Sequence, residues 1–304
     1  MIRSIQRSLT DLLGEEYISA VCAARAALTG ESPETLRAVA DEKVDFYPAS
    51  FAARQEELMA RVGETLVPAF ADSEDGAPTG SYRAAQHSFA APLGGLGAFR
   101  VGEDGRLYFA GKSEHYHIPL GHSFPGYELI ERAKRLGIPN ATHNNTRGFI
   151  TRTLERRLIA AANGLDAADP ALDEIIASKQ PGVLSCVINL ETGSLAVEAA
   201  LKMMLSRFYT IDGKPAPYAG RIPVFLVMAD NAGGITAGYH GTTVTAQTLR
   251  GLWPEFGEKA AEAGLYRVES VPINDAAAFD EAVRRWNEGP YKTAGFCHEI
   301  IMMN

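Results

Sequence analysis

The stretch from 183 to 202 constrains the fold more than any other part of this sequence. Residues 183–188 are mostly apolar and partly β-branched, as expected of a strand buried on both faces. A small, hydroxyl-rich corner follows, made of Thr192, Gly193 and Ser194. Apolar residues then recur at helical spacing. The order predicts a strand, a tight turn and a helix.

The corner before this helix is open to two interpretations. A strand-to-helix turn presents unpaired N–H groups, hydroxyls and the positive end of a helix dipole to one point, which suits a phosphate group. Alternatively, Thr192 and Ser194 only cap a core helix. The turn matches neither a Gly-x-Gly-x-x-Gly fingerprint nor a P-loop, so these residues alone leave both open. Within the helix, Glu198 and Lys202 are four apart and are expected to pair.

Composition sets limits on the class of protein. The chain has 304 residues, 46% apolar and 22% charged, which is typical of a globular protein with one large or two medium domains. Its net charge of −8 argues against a general nucleic-acid binder, because no basic stripe offsets the acidic residues.

The cysteines and the apolar runs bear on location. Cys22, Cys186 and Cys297 lie far apart and without C-x-x-C spacing, so we interpret them as reduced core residues. The first residues lack the apolar core of a signal peptide, and no apolar run is long enough to span a membrane. We expect a soluble, cytoplasmic protein that does not bind membranes.

The first part of the chain is expected to be helical. Apolar residues form one stripe over residues 9–18, and the Ser-Pro-Glu sequence at 32–34 is typical of a second helix start. Small polar residues over 72–80 indicate a loop or linker. No chemistry is recognisable in the first 80 residues.

Strands and helices alternate in the rest of the chain. Strands are predicted over 222–228, 266–273 and 294–303, and Asp275 is expected to cap a helix that reaches Trp286. Such alternation predicts an α/β domain with a mostly parallel sheet. Before it, 103–106 is a plausible hairpin turn.

Two polar loops deserve a functional interpretation. His115 and His117, either side of Tyr116, would share a face in extended chain, but a third ligand at short spacing is missing, so we predict no metal site. The loop over 142–147, which includes Arg147, is either a surface connection or a pocket wall.

Glu299 follows His298 inside an apolar, strand-like run. A buried carboxylate is costly unless it is paired. It therefore either emerges at the carboxyl end of its strand, where open α/β sheets bind ligands, or is a satisfied structural group.

Several segments, in order, resemble the class III aminotransferases, which are pyridoxal-phosphate enzymes. They are Gly105 to Phe109 with Leu120 to Pro125, Thr192-Gly193-Ser194 with Ala196 to Lys202, Tyr239-His240-Gly241-Thr242-Thr243, and His298-Glu299. The resemblance covers roughly residues 95–304. It implies an α/β, fold type I PLP-transferase-like architecture, with a mostly parallel central sheet flanked by helices and a helical N-terminal extension.

The resemblance also implies a domain organisation. Residues 1–80 would form the helical N-terminal extension, and 81–165 the N-terminal segment of a small domain with linker helices. Residues 166–304 would form a large PLP-binding domain that continues beyond 304.

A site for pyridoxal 5′-phosphate follows from the same resemblance. The implied cofactor-binding residues are Thr192, Gly193, Ser194, Tyr239, His240 and Glu299. Gly193 and Ser194 would hold the phosphate. Tyr239 would lie against the pyridine ring, although an ordinary loop aromatic is the alternative. Glu299 would reach the cofactor's edge or a neighbouring polar side chain.

The implied activity is an aminotransferase reaction, which moves an amino group between an amino compound and a keto acid through a Schiff base. Family membership implies a homodimer, and we expect His115, Tyr116 and Arg147 in the substrate pocket. A racemase, aminomutase or decarboxylase with the same cofactor is an alternative, and so is a non-catalytic scaffold relative.

The sequence departs from the family pattern in places. Leu195 replaces an acidic residue, Ile300 replaces a proline, and 302–304 differ from the family's usual Gln-Gly-Glu. No lysine within 1–304 stands where the family has its Schiff-base lysine. We therefore expect that lysine outside these residues, either in a continuation of the chain or in another chain that completes it.

Overall fold

A computed structural model describes residues 4–71, 76–110, 120–138, 147–238 and 241–299. The chain divides into two compact units, Met1–Ser185 and Cys186–Asn304, each with a hydrophobic core of its own.

The first unit begins with four helices, two of which have a side-chain cap at their start. They are α1 (Leu9–Leu13), α2 (Glu15–Thr29), α3 (Pro33–Asp41) and α4 (Ala49–Met59). Ser8 and Asp11 form a capping box on α1. Ser32 caps α3, and Pro33 takes its first turn, where the missing N–H costs nothing. The helices predicted for this region are therefore present.

The apolar stripe of these helices forms a core. Leu9, Ile18 and Leu36 are buried, and Leu129 of α6 (Glu128–Arg135) joins the same cluster. Two short strands form an antiparallel pair in the same unit. In the sequence, β1 (Gln6–Arg7) precedes α1 and β2 (Val44–Asp45) follows α3.

An antiparallel sheet of three strands follows α5 (Gly80–Ala85) in the same unit. Its strands are β3 (Pro92–Leu96), β4 (Phe99–Gly102) and β5 (Leu107–Phe109). The turn at 103–106 joins β4 to β5, which confirms the predicted hairpin. Gly105 takes φ +79 there, and an added Cβ would lie 2.0 Å from the Val67 carbonyl oxygen, so only glycine fits.

The first unit ends with two packed helices, α7 (Phe149–Ala162) and α8 (Ala171–Ala177). Phe149 stacks on Tyr17 with ring centroids 4.3 Å apart, which ties α7 to α2.

The second unit is a parallel sheet covered by helices. Its elements are α9 (Gly193–Leu205), β6 (Ile222–Met228), α10 (Val244–Leu249), α11 (Pro254–Glu262), β7 (Arg267–Val271), α12 (Ala276–Arg285) and β8 (Tyr291–Cys297). The strand order is β7-β6-β8. The central β6 is almost fully buried. Phe225 and Val227 face the helices α9 and α10, whereas Val224 and Leu226 face α12.

The predicted fold class is wrong. The sheets within the described residues have only two or three strands, so no large, mostly parallel central sheet of a fold type I enzyme is present there. The strand predicted over 183–188 is wrong as well, because this segment forms no strand or helix, and Leu184 and Ile188 are each 60% exposed. An apolar run becomes a buried strand only when a neighbouring strand forms hydrogen bonds with its backbone N–H and C=O groups. The run itself does not indicate which segment that neighbour is.

Other elements of the second unit agree with the sequence pattern more closely. β6 has the predicted bounds, and Asp275 caps α12 by accepting a hydrogen bond from the Ala278 N–H. β8 begins three residues before the predicted strand, and residues 300–304 lie outside the described part.

Two further expectations concern the burial of the cysteines and the presence of membrane-spanning helices. Cys22 is buried, but Cys186 is exposed, so its interpretation as a core residue is wrong, because the strand that would have buried it does not form. Across the described ranges, no helix combines the length and the apolar character needed to cross a bilayer.

Candidate functional site

The start of α9 is built by Thr192. This residue is extended, with φ −144 and ψ 159, and its hydroxyl accepts a hydrogen bond from the Leu195 N–H at 3.2 Å. Its carbonyl accepts from the Ala196 N–H at 3.0 Å. Thr192 is thus a helix cap, and its hydroxyl has a structural partner.

The next two residues keep their backbone donors available. The N–H groups of Gly193 and Ser194 make no hydrogen bond to another described residue. A Cβ added at Gly193 would meet nothing within 4 Å, so the space beside this turn is open. Two free amides at the positive end of a 13-residue helix are the requirement for anion binding.

The corner contacts the third segment of the family resemblance, which begins at Tyr239. The Thr242 N–H donates a hydrogen bond to the Ser194 hydroxyl at 3.2 Å. Gly241 takes φ +109, and an added Cβ would lie 2.8 Å from both Cα and Oγ of Ser194. Gly241 therefore permits both a left-handed backbone and a close approach that any larger residue would prevent. Tyr239 and His240, which precede Gly241, lie outside the described residues.

The carboxylate of Glu198 joins the same segment to α9 through two hydrogen bonds. Glu198 accepts hydrogen bonds from the hydroxyls of Thr243 at 2.7 Å and Thr245 at 3.2 Å. Thr243 also caps α10 through the Ala246 N–H. The sequence predicted that Glu198 would pair with Lys202, and no ion pair joins these two residues. The threonine hydroxyls take that place.

The loop after β6 is organised by Asp230. Its carboxylate accepts hydrogen bonds from the Thr236 hydroxyl at 2.6 Å and from the N–H groups of Ala232, Gly234 and Thr236. The Thr236 hydroxyl is the largest cause that lowers the pKa of Asp230 to about 2, and the backbone donors add to it. This carboxylate is therefore a structural acceptor rather than a proton donor near neutral pH.

The remaining predicted site residues are distributed as follows. Glu299 is half-buried and lies two residues beyond β8, which ends at Cys297, at the carboxyl end of that strand. Arg147 belongs to the first unit, where its guanidinium forms an ion pair with Glu155. His115 and Tyr116 lie outside the described residues, as does His117.

Sequence reasoning missed the residues that hold the two segments together. Glu198, Thr242, Thr243 and Thr245 take part in the three hydrogen bonds that join the two segments. The sequence signal that could have identified them is the group of threonines directly after Gly241. Closely spaced hydroxyls before a helix indicate side chains that cap the helix or donate hydrogen bonds to a nearby acceptor.

The corner fits a phosphate better than it fits a metal. Two free amides, one hydroxyl whose proton is not committed and a helix N-terminus all favour an anion. Among the described residues, no group of three or more histidine, cysteine, aspartate or glutamate side chains could hold a metal ion.

Comparisons with known proteins add no relative. Neither the protein-family models nor the curated proteins contain a match to this chain.

Proposed function

We propose that this chain binds pyridoxal 5′-phosphate at the N-terminus of α9 and that the protein moves an amino group between an amino compound and a keto acid. The observation that carries the proposal is the contact between Ser194 and the segment at Gly241 and Thr242. These are two of the segments on which the family resemblance depends, and they meet at the open end of a helix.

The phosphate group would be held by the chain's own backbone. The free amides of Gly193 and Ser194 would donate to its oxygens, and the dipole of α9 would favour its negative charge. The Ser194 hydroxyl accepts from Thr242, so its own proton is available to a phosphate oxygen. Each of these hydrogen bonds to a charged group contributes about 1.5–3 kcal/mol.

The segment at Gly241 would orient the ring of the cofactor. Gly241 is close to Ser194. We propose, from the resemblance, that Tyr239, two positions earlier in the sequence, stacks on the pyridine ring and limits the tilt of the cofactor. Glu299, at the carboxyl end of β8, is our candidate for a polar contact with the cofactor's edge. The cofactor supplies the electron sink, and the protein supplies orientation and charge.

The other parts of the proposal rest on the resemblance. We propose that His115, Tyr116 and Arg147 belong to the substrate pocket. The substrates would be a small amino donor and a keto acid, and the working form would be a homodimer in the cytoplasm. The Schiff-base lysine is not assigned to any residue of 1–304.

The test uses pyridoxamine 5′-phosphate, which has no aldehyde and therefore does not react with surface lysines. Calorimetric titration of the protein is compared with titration by pyridoxamine, which lacks the phosphate. We expect the phosphorylated form to bind about tenfold or more tightly, because the amides of α9 contact only the phosphate. Equal affinities, or no binding of either, would contradict the proposal.

Activity is a separate measurement. The protein is saturated with pyridoxal 5′-phosphate and supplied with a panel of amino acids and a keto acid acceptor, and new amino acid is quantified by chromatography. Transfer supports an aminotransferase. Loss of the α-proton without transfer supports a racemase, release of carbon dioxide a decarboxylase, and binding without any of these a scaffold.

A further inference from the structure

The second unit contains a cavity of about 420 Å³ that has no lining residue in common with the corner at Thr192 to Ser194. It lies among the loop after β6, the end of α10, the helix α11 and the start of β7. A volume of this order accommodates a small organic molecule of one or two rings.

The walls of the cavity are apolar and aromatic. Ile235 and Val268 line it, and Tyr266 adds a ring that also packs edge-on against Phe225. Aromatic and branched side chains on the wall favour a ligand that has apolar surface to bury.

The hydroxyl groups that line this cavity already have partners within the protein. Tyr266 donates to the Thr248 hydroxyl at 3.0 Å, and Thr248 donates to the Thr245 carbonyl. Thr236 donates to Asp230. Few unsatisfied polar groups remain for a strongly polar ligand such as a sugar.

Trp253 lines the cavity and leaves 46% of its surface exposed. The other tryptophan of the chain, Trp286, is only 8% exposed and belongs to the core beneath α12. A large indole that is half-exposed on a concave wall offers a flat face for stacking, and indole is the best aromatic partner for a cation.

The cavity also has a carboxylate to match a positive charge. Glu258, on α11, lines it and forms no ion pair with a basic side chain among the described residues. Its neighbour Glu255 instead pairs with Lys259 at 2.5 Å. Among the described lining residues Arg267 alone is basic, and its guanidinium lies over the rings of Trp286 and Tyr291 and pairs with Glu269.

We propose that this cavity binds a small planar aromatic cation, with its ring stacked on Trp253 and its positive group facing Glu258. The site is independent of the proposed cofactor site, because it uses none of the residues that would hold the phosphate.

The experiment titrates the intact chain with benzamidine, a planar aromatic cation, and with benzamide, its neutral near-isostere. Calorimetry gives the two dissociation constants. A Trp286→Phe background leaves Trp253 as the single tryptophan, so quenching of its fluorescence reports occupancy at that wall. The variants are Trp253→Ala and Glu258→Gln, and Glu255→Gln is the matched control on the same helix.

We expect wild-type protein to bind benzamidine more tightly than benzamide. Trp253→Ala should weaken both by about tenfold through loss of the stacking surface. Glu258→Gln should weaken benzamidine alone, by about threefold to tenfold, and Glu255→Gln should change neither. Thermal unfolding curves of the variants confirm that each is folded.

Three results would overturn the proposal: no benzamidine binding at millimolar concentration, binding that both variants leave unchanged, or an equal loss with Glu255→Gln. Titration of the same variants with pyridoxamine 5′-phosphate separates the two sites. Unchanged affinity for that compound shows that a failure here leaves the proposed cofactor site standing.

Discussion

Ser194 and Thr242 are 48 positions apart in sequence, and the Thr242 N–H donates a 3.2 Å hydrogen bond to the Ser194 hydroxyl. This bond fixes the start of α9 to the segment that leads into α10. Because Ser194 sits in the first turn of α9, this bond joins the Gly241 segment to the helix end at which the amides of Gly193 and Ser194 lie.

Replacing Gly241 by alanine should loosen this contact. The residue has φ +109, and the new Cβ would lie 2.8 Å from Ser194, so we expect a loss of about 1–3 kcal/mol in the free energy of unfolding. Gly213→Ala is the control, because Gly213 also has a positive φ, +79, but meets nothing within 4 Å. Denaturant titration should show the smaller loss for Gly213→Ala, and equal losses would mean that the close approach to Ser194 does not matter.

Replacing Glu198 by alanine should remove the acceptor of two hydroxyls. Thr243 and Thr245 would lose a charged partner in a half-buried setting, so we expect a loss of about 1.5–3 kcal/mol, measured by urea unfolding. Glu255→Ala removes an exposed carboxylate and should cost under about 0.5 kcal/mol. A loss at Glu198→Ala no larger than that at Glu255→Ala would show that the hydrogen bonds from Thr243 and Thr245 do not stabilise the fold.

Helix starts and the strand β6 could be predicted from the sequence because a cap or an apolar run depends only on residues that are neighbours along the chain. Ser32 and Asp275 cap their helices as predicted, and β6 begins and ends where its apolar run does. The fold class did not follow. A sheet is made of pairings between distant strands, and the apolar segment at 183–188 carries no information on which strand would pair with it.

The site divides in the same way. The turn at Thr192 to Ser194 and the helix after it followed from the sequence, whereas the strand predicted before the turn does not form. The role of Glu198 was not, because a helical i,i+4 neighbour such as Lys202 is visible in the sequence, whereas threonines more than 40 positions away are not.

Asp230 should make the acid stability of the second unit depend on one carboxylate. Its pKa in the folded protein is lowered from 3.8 to about 2, chiefly by the Thr236 hydroxyl. A lowered folded-state pKa gives stabilisation that is complete above the unfolded pKa and is lost as pH falls through the folded one. The stability difference between wild type and Asp230→Asn should therefore be constant above about pH 5 and shrink towards about pH 2. A difference that does not change with pH would contradict this assignment.

Thiol reactivity should distinguish the three cysteines. Cys186 is exposed, whereas burial raises the pKa of both the Cys22 and the Cys297 thiols. Since the thiolate is the reactive form, a disulfide reagent should modify Cys186 first in the native protein. Cys186→Ser should remove the fast phase and leave the slow ones. A fast phase that survives this substitution would place the exposed thiol elsewhere.

The most direct measurement of the central claim is the affinity of Ser194→Ala for pyridoxamine 5′-phosphate. The matched control is Ser206→Ala, at the opposite end of α9, where the hydroxyl bonds the Met203 carbonyl. If the start of α9 holds the phosphate, Ser194→Ala should weaken binding by about tenfold, while its affinity for pyridoxamine and the affinities of Ser206→Ala stay unchanged. A Ser194→Ala protein that binds the phosphorylated compound as tightly as wild type would contradict the account.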